Sequence, residues 1–407
     1  MGFALATLWV LAYAKLDVLA DPPPPSTWVA LKPLPHQGQT AIFALAVDPG
    51  NNQVLVAGNS AGSLLRSTDG GSTWTSVYSG KVLLTTITFS PFKSGFVLAG
   101  TSGAGALLSR DGGATWSVPV GLEGRKVRAF GFSVTSVAAG TDKGVYTSQD
   151  GSFWSQSGLV NRSIDTLAVS AVHVPVRLMA GSDAPLSAGN VPLFQSADGA
   201  ANWSAINPAV SGTYIVKIAA GPLPPVGDIR PVVAGTNAGL FASPDNGATF
   251  APLSGGDVLP STDYTQIAFI TDHYDRFYAA SDSTGAGGLW RTNDAGRTFA
   301  SLVPPMRSIT ALAVSNDESP FLYVATFRPS DHVAALWVYR DTGGTPLGPL
   351  GASPPVSSGS RTAAGAAPGS SLLEIFRSSQ APYIGLGLGA LAVMLFAVVA
   401  HMRGRRR

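Results

Sequence analysis

The chain has 407 residues, with 26 Lys+Arg against 24 Asp+Glu and a formal net charge of +2 at pH 7. Charged residues make up 12% and hydrophobic residues 45%, so the chain can bury a large core and wholesale disorder is excluded. Four arginines (Arg403, Arg405, Arg406 and Arg407) lie at the extreme C-terminus; the remainder has no polyanion-binding excess, and nucleic acid is not an expected partner. Cysteine is absent, which removes disulfide frameworks, thiolate metal sites, iron–sulfur clusters and cysteine nucleophiles. The histidines, His36, His173, His273, His332 and His401, show no paired ligand spacing. Neither a metal nor a cofactor is expected.

At the N-terminus, Gly2 to Ala14 is an apolar run, and Val18-Leu19-Ala20 before Asp21 resembles a cleavage site. Residues 1–20 are read as a signal peptide or N-terminal anchor, although Lys15 and Asp17 follow the apolar stretch instead of preceding it.

From residue 26 to 341 the chain repeats itself. A serine or threonine, an aspartate two residues later, a glycine and then an aromatic recur as STDGGSTW, SRDGGATW, SQDGSFW, SADGAANW, SPDNGATF and TNDAGRTF. The aspartates are Asp69, Asp111, Asp150, Asp198, Asp245 and Asp294; the tryptophans are Trp74, Trp116, Trp154 and Trp203, with Phe250 and Phe299 in the last two copies. A degenerate seventh copy, LWVYRDTGG, carries Asp341. Each unit starts with an alternating segment such as IFALAVD or TLAVS and continues with a second ending in small residues, VLVAGN or VVAGT. A third, LLRS or LFAS, then leads into the aspartate turn, and a fourth starts at the aromatic. Four strands per roughly 40–50 residues is the pattern of a propeller blade.

The turn has a physical rationale: the aspartate accepts hydrogen bonds from amides of its own loop, the glycine supplies positive φ, and the aromatic anchors the loop on the blade. The seventh copy lacks its aromatic, whereas STWVALKPL near the N-terminus, with Trp28, reads as a displaced fourth strand. The expected fold is therefore an all-β seven-bladed propeller closed by an N-terminal strand in the last blade, which leaves no open sheet edge.

Beyond the repeats, residues 342–371 form a Gly/Pro/Ser/Ala-rich segment read as a flexible stalk. Residues 383–400, YIGLGLGALAVMLFAVVA, are uncharged and just long enough to span a bilayer as a helix; Gly385 and Gly389 form a GxxxG pair within it. The basic tail 401–407 favours a cytoplasmic C-terminus, placing the propeller outside the cytoplasm on a single-pass anchor in the cell membrane.

The boxes resemble those of the Asp-box, or BNR, repeat propellers over residues 26–341. That family includes sialidases, xyloglucan-cleaving hydrolases, sortilin-type receptors and photosystem II assembly factors, and the resemblance implies that the six aspartates and four tryptophans are structural, away from the ligand face. Sialidase chemistry in the family needs three converging arginines, a tyrosine assisted by a glutamate, and an acidic aspartate. Here the glutamates are Glu123, Glu318 and Glu374, of which only Glu123 is suitably placed. Asp272 and Asp275 in TDHYDR are read as turn residues on the box side of the blade, not as the paired carboxylates of a xyloglucan-cleaving enzyme. The cysteine-rich module of sortilin-type receptors is excluded. In layout the chain is closest to the photosystem II assembly factor type, which implies a non-catalytic propeller that binds a protein partner near the membrane. A glycan-acting hydrolase or a carbohydrate-binding module is the alternative.

Loops from strand four to the next strand one share a propeller face with the two-to-three loops. Basic residues recur there: Lys32 and His36, Lys81, then Arg125, Lys126 and Arg128, then Arg162 and Arg307. Asp257, Asp263 and Tyr264 form one acidic sector. A focused basic face of this kind steers an acidic protein partner or a glycan. The candidate binding residues are thus Arg125, Lys126, Arg128, Arg162, Arg307, Asp263 and Tyr264. Asn161 and Asn202 head glycosylation sequons by pattern alone.

Overall fold

The computed structural model describes residues 23–34, 40–182, 192–206, 214–223, 230–253, 255, 258–270, 273 and 275–343. The expected leader (1–20), the stalk beyond Gly343, the membrane helix (383–400) and the basic tail lie outside the described residues. Among the described residues, no helix is long and apolar enough to cross a membrane.

Seven antiparallel sheets follow one another along the chain, and the innermost strand of each touches the innermost strands of its two neighbours around a closed ring. These inner strands are Ile42–Asp48, Leu84–Phe89, Val127–Phe132, Ile164–Ala171, Ile215–Ala220, Gln266–Phe269 and Ile309–Val314. Five sheets carry four consecutive strands each. Blade two has three, and its fourth position is a single bridge in which Leu108 and Ser117 exchange both backbone hydrogen bonds at 2.8 Å.

The seventh sheet closes the ring. Its strands Ile309–Val314, Phe321–Arg328 and Val333–Arg340 are joined by Trp28–Ala30 from the other end of the chain. The register pairs Trp28 with Tyr339, Val29 with Val338 and Ala30 with Trp337. The Trp28 ring packs 4.9 Å from that of Tyr339, and its Nε1 donates to the Leu302 carbonyl of blade six at 2.8 Å. Leu31 reaches the other way, onto Gly71 in the box of blade one. One short strand therefore ties three blades together.

The core is divided into apolar clusters that lie between blades. Leu64, Leu84 and Val97 pack together across blades one and two; Val145, Ile164 and Leu178 do so across blades three and four. This explains the small residues closing each second strand. Gly58 and Gly140 sit where a Cβ would stand 2.6 Å from Leu84 Cβ and 2.8 Å from Ile164 Cγ2, so glycine lets the next inner strand approach.

The six boxes are built alike. In the first, Ser67 donates to Asp69 Oδ1 (2.8 Å) and accepts the Gly71 amide (2.8 Å), while Asp69 accepts the Thr73 amide (2.8 Å) and hydroxyl (2.6 Å). Trp74 then donates its indole N–H to the Gly71 carbonyl (3.0 Å) and lies buried against the blade. The same bonds recur at Asp111, with Asn202 replacing the threonine at Asp198, and again at Asp245 and Asp294; Asp150, in the box one residue shorter, accepts the Ser152 amide. Each aspartate is thereby committed to its own turn.

A pH dependence follows. At Asp111 burial raises the carboxyl pKa, but the Thr115 hydroxyl and amide, Ser109 and Ala114 outweigh it and lower the pKa from 3.8 to about 2. Asp69, Asp150, Asp198, Asp245 and Asp294 are lowered as well. Because the folded values lie below the unfolded one, the boxes stabilise the fold above pH 3.8 and lose that contribution as pH falls towards about 2. The melting temperature is expected to be level between pH 7 and 5 and to fall steeply below pH 4; an unchanged midpoint at pH 2.5 would refute the role of the box carboxylates.

The degenerate seventh box is used differently. Asp341 is fully buried, with Arg276 and Arg291 of blade six beside it. Arg291 Nη1 contacts Oδ1 at 2.5 Å, Tyr278 donates its hydroxyl to Oδ2 at 2.7 Å, and the Gly343 amide donates to Oδ1 at 3.0 Å. Arg276, itself 1% exposed, also donates to Asn293 Oδ1 (2.7 Å) and to the Gly343 carbonyl (2.6 Å). Where the other copies make a surface turn, this one makes a buried charge cluster joining blade six to the end of blade seven.

Candidate functional site

The two propeller faces are distinguished by their loop contacts. On one, the box turns meet the one-to-two loops: the Gly70 amide donates to Gln53 O, Gly112 to Gly95 O, and Ala295 to Asp275 O. Asp275 of TDHYDR is therefore on the box face, as expected; Asp272 lies outside the described residues. On the opposite face the four-to-one and two-to-three loops are stitched together, beginning with the Gly105 amide on Arg125 O at 2.9 Å.

That stitching aligns cations. The Asp142 amide donates to Lys126 O, the Lys126 amide returns to Asp142 Oδ1 at 3.0 Å, and the Asn161 amide donates to Lys143 O. Arg125, Lys126, Lys143 and Arg162 consequently form one ridge across blades two to four, accompanied by the carboxylates Asp142 and Glu123. Lys126 and Lys143 are exposed, and Arg125 reaches Asp142 at 3.7 Å with its side chain still 28% exposed. The Arg162 guanidinium lies 4.8 Å over the Phe194 ring. Cations held on rigid strand-end loops, with few internal partners, are available to a partner's carboxylates.

Other candidates are placed elsewhere. Arg128 is on the innermost strand of blade three, where it donates to Ser163 Oγ (2.6 Å) and ion-pairs with Asp165 of blade four. It is one of several bonds that cross blade seams at this level. Thr310 donates to Ile42 O (2.6 Å), Thr85 to Val127 O, and the Ile218 amide to Thr166 Oγ1 (2.8 Å). Arg307 is exposed but sits by Gly287 of blade six, away from the ridge.

Tyr264 is a core residue, fully buried, with its hydroxyl on Pro260 O (2.8 Å) and its ring 5.6 Å from Trp290. It occupies the place that Ile42, Leu84, Val127, Ile164, Ile215 and Ile309 take in the other blades, so it offers no surface to a ligand. Asp263 is half-buried and accepts the Thr262 hydroxyl (3.1 Å). Its neighbour is Asp282, whose pKa is raised by burial and then by the Asp263 charge. An acidic sector thus exists on blade six, formed by Asp263 and Asp282, while Asp257 and His36 lie outside the described residues.

Glu123 accepts the Gly121 amide with both oxygens, at 3.0 and 2.9 Å. That bond lowers its pKa, the opposite of what a glycosidic acid needs. No group of three or more His, Cys, Asp or Glu suited to a metal occurs among the described residues.

Lys143 was not singled out from the sequence. Its signal is its place in TDKG, the two-to-three loop of blade three that faces the Arg125–Lys126 loop. Nor was Lys217, which lines the central channel; burial lowers its ammonium pKa.

No protein-family model and no curated protein matches the chain. The fold is similar to that of solved propellers. One is described as YCF48 bound to D1 peptide (TM-score 0.54, 17% identity, covering 79% of this chain and 97% of that one). Another is the GH74 xyloglucanase from Xanthomonas campestris (TM-score 0.56, 13% identity, 77% of this chain), of whose length the chain spans 56%. At these identities the likeness is one of fold: a seven-bladed Asp-box propeller.

Proposed function

We propose that the protein is a non-catalytic propeller that holds an acidic segment of a protein partner on the Arg125–Lys126–Lys143–Arg162 ridge. The observation that carries this reading is the division of charge within the molecule. The box carboxylates, the Asp341 cluster and the Arg128–Asp165 pair are all occupied internally. On the ridge, by contrast, Lys126 and Lys143 are exposed, and Arg125, although near Asp142, and Arg162, although over Phe194, stay partly exposed on loops fixed by backbone bonds. A peptide occupant agrees with the fold-similar YCF48, whose structure contains a D1 peptide. The apolar segment 383–400 and the arginines after it support a single-pass anchor that keeps the ridge near a membrane, outside the cytoplasm.

The hydrolase alternative is less well supported. Glu123 is bound to its own turn, and the similarity to the xyloglucanase covers only part of that enzyme.

Reversal of the ridge to Arg125→Glu, Lys126→Glu and Lys143→Glu in the full-length protein tests the reading. After crosslinking and affinity purification from native membranes, the recovered partner should fall roughly tenfold or more. The wild-type complex should also weaken as salt rises. Equal recovery from the reversed variant would remove the ridge as the site.

A further inference from the structure

The inner strands enclose a channel whose box-face half forms a cavity of about 580 Å³. Its walls are mainly apolar: Leu45, Ile87, Phe130, Leu167, Ile267 and Ala313 come from different blades. At the mouth stand Pro91, Phe92, Pro222 and Leu223, with Phe92 38% exposed.

Two cations, Lys217 and Arg230, break this lining. Lys217 pairs in register with Gly235, a position that in other blades is Ala44, Thr86, Ala129, Thr166, Gln266 or Ala311. It lies towards the deep end of the cavity, and the strand then climbs through Ile218, Ala219 and Ala220 to the mouth. The residue is half-buried, and burial lowers its ammonium pKa, with no carboxylate among the described residues to offset it. The other cation at this site, Arg230 near the mouth, is tied to carbonyls, with Nη1 on Val169 O (2.6 Å) and Nε on Gly221 O (2.5 Å).

We propose that the channel binds a small alkyl carboxylate, head first, with its carboxylate on Lys217 and its aliphatic chain along the apolar walls to the mouth. A buried ammonium attracts an anion far more strongly than an exposed one, and the apolar walls reject a ligand that is polar along its length. The site is separate from the basic ridge, on the opposite face, and does not depend on it.

Equilibrium dialysis of radiolabelled decanoate against the full-length protein tests this, at concentrations below micelle formation. Saturable binding at one site per chain is expected, about fifteenfold tighter for decanoate than for octanoate, since each of the two extra buried methylenes contributes about fourfold. Lys217→Met should lower decanoate affinity at least tenfold, whereas Lys217→Arg should keep it. Decanol should bind the wild type at least tenfold more weakly than decanoate does. If Lys217→Met does not fold, that wild-type comparison decides by itself. Absence of saturable binding, or equal affinity for decanoate and decanol, overturns the proposal. An apolar peptide with a free C-terminus that binds more tightly than decanoate, and more tightly than its own C-terminal amide, overturns it too, because the channel would then belong to a protein terminus.

Discussion

Replacing Asp341 by alanine is expected to destabilise the propeller by about 3–5 kcal/mol, the range found when one member of a buried ion pair is removed. Two guanidiniums depend on this carboxylate. Arg276 is 1% exposed and Arg291 is largely enclosed, so neither recovers full hydration when the carboxylate is lost. The Tyr278 hydroxyl loses its acceptor as well, and burial already raises its pKa and keeps it un-ionised. The urea unfolding midpoint should fall well below that of the wild type. Asp341→Asn, which keeps an acceptor but not the charge, should lie between. A midpoint for Asp341→Ala within experimental error of the wild type would show that the cluster does not hold blade six to blade seven.

Deletion of residues 23–31 is expected to abolish cooperative unfolding altogether. Without Trp28–Ala30 the last sheet ends at Val333–Arg340 with an unpaired edge, and exposed edges template association between chains. The deletion also removes the Trp28–Leu302 bond to blade six and the Leu31 contact with the first box. The truncated protein should elute as soluble aggregates, and a synthetic peptide of residues 23–34 added during refolding should restore the monomer. The milder Trp28→Ala should cost about 2–3 kcal/mol, less than a fully buried tryptophan because the ring is half-buried. A truncated chain that remains monomeric and melts in one sharp transition would contradict closure by the N-terminal strand.

The architecture was legible because the repeat is explicit. Ser67, Asp69, Gly71 and Trp74 recur at fixed offsets, and each residue has one job in the turn. Closure was legible as well, since the seventh unit lacks an aromatic and the N-terminus carries a spare Trp28. The Asp341 cluster was not foreseen, because reading it as a weak box hides what replaces the turn. A comparison in register would have helped: Arg291 in LWRT stands where Arg66 stands in LLRS, and Arg66 donates from Nε to Gly112 O of the next blade at 2.7 Å.

The candidate site was legible as a face rather than as residues. Loop position brought Arg125, Lys126 and Arg162 to one face, but it could not distinguish Lys126, which is exposed, from Arg128, which is on an inner strand and turned towards Asp165 one blade away, or from Arg307, which sits by blade six. Tyr264 looked like a loop residue because the preceding segment is polar; the strand pairing reveals it as the aromatic version of an aliphatic core position. Lys143 and Lys217 depend on contacts between blades, which no local pattern records.

The central claim is that a partner sits on the ridge face and not on the box face. The most direct test is a photo-crosslinking amino acid installed at Lys126, and separately at the exposed Thr68 of the first box, in the full-length protein in its native cells. The account predicts a discrete higher-mass adduct from position 126 and none from position 68. Adducts from position 68 alone would place the partner on the opposite face and contradict it.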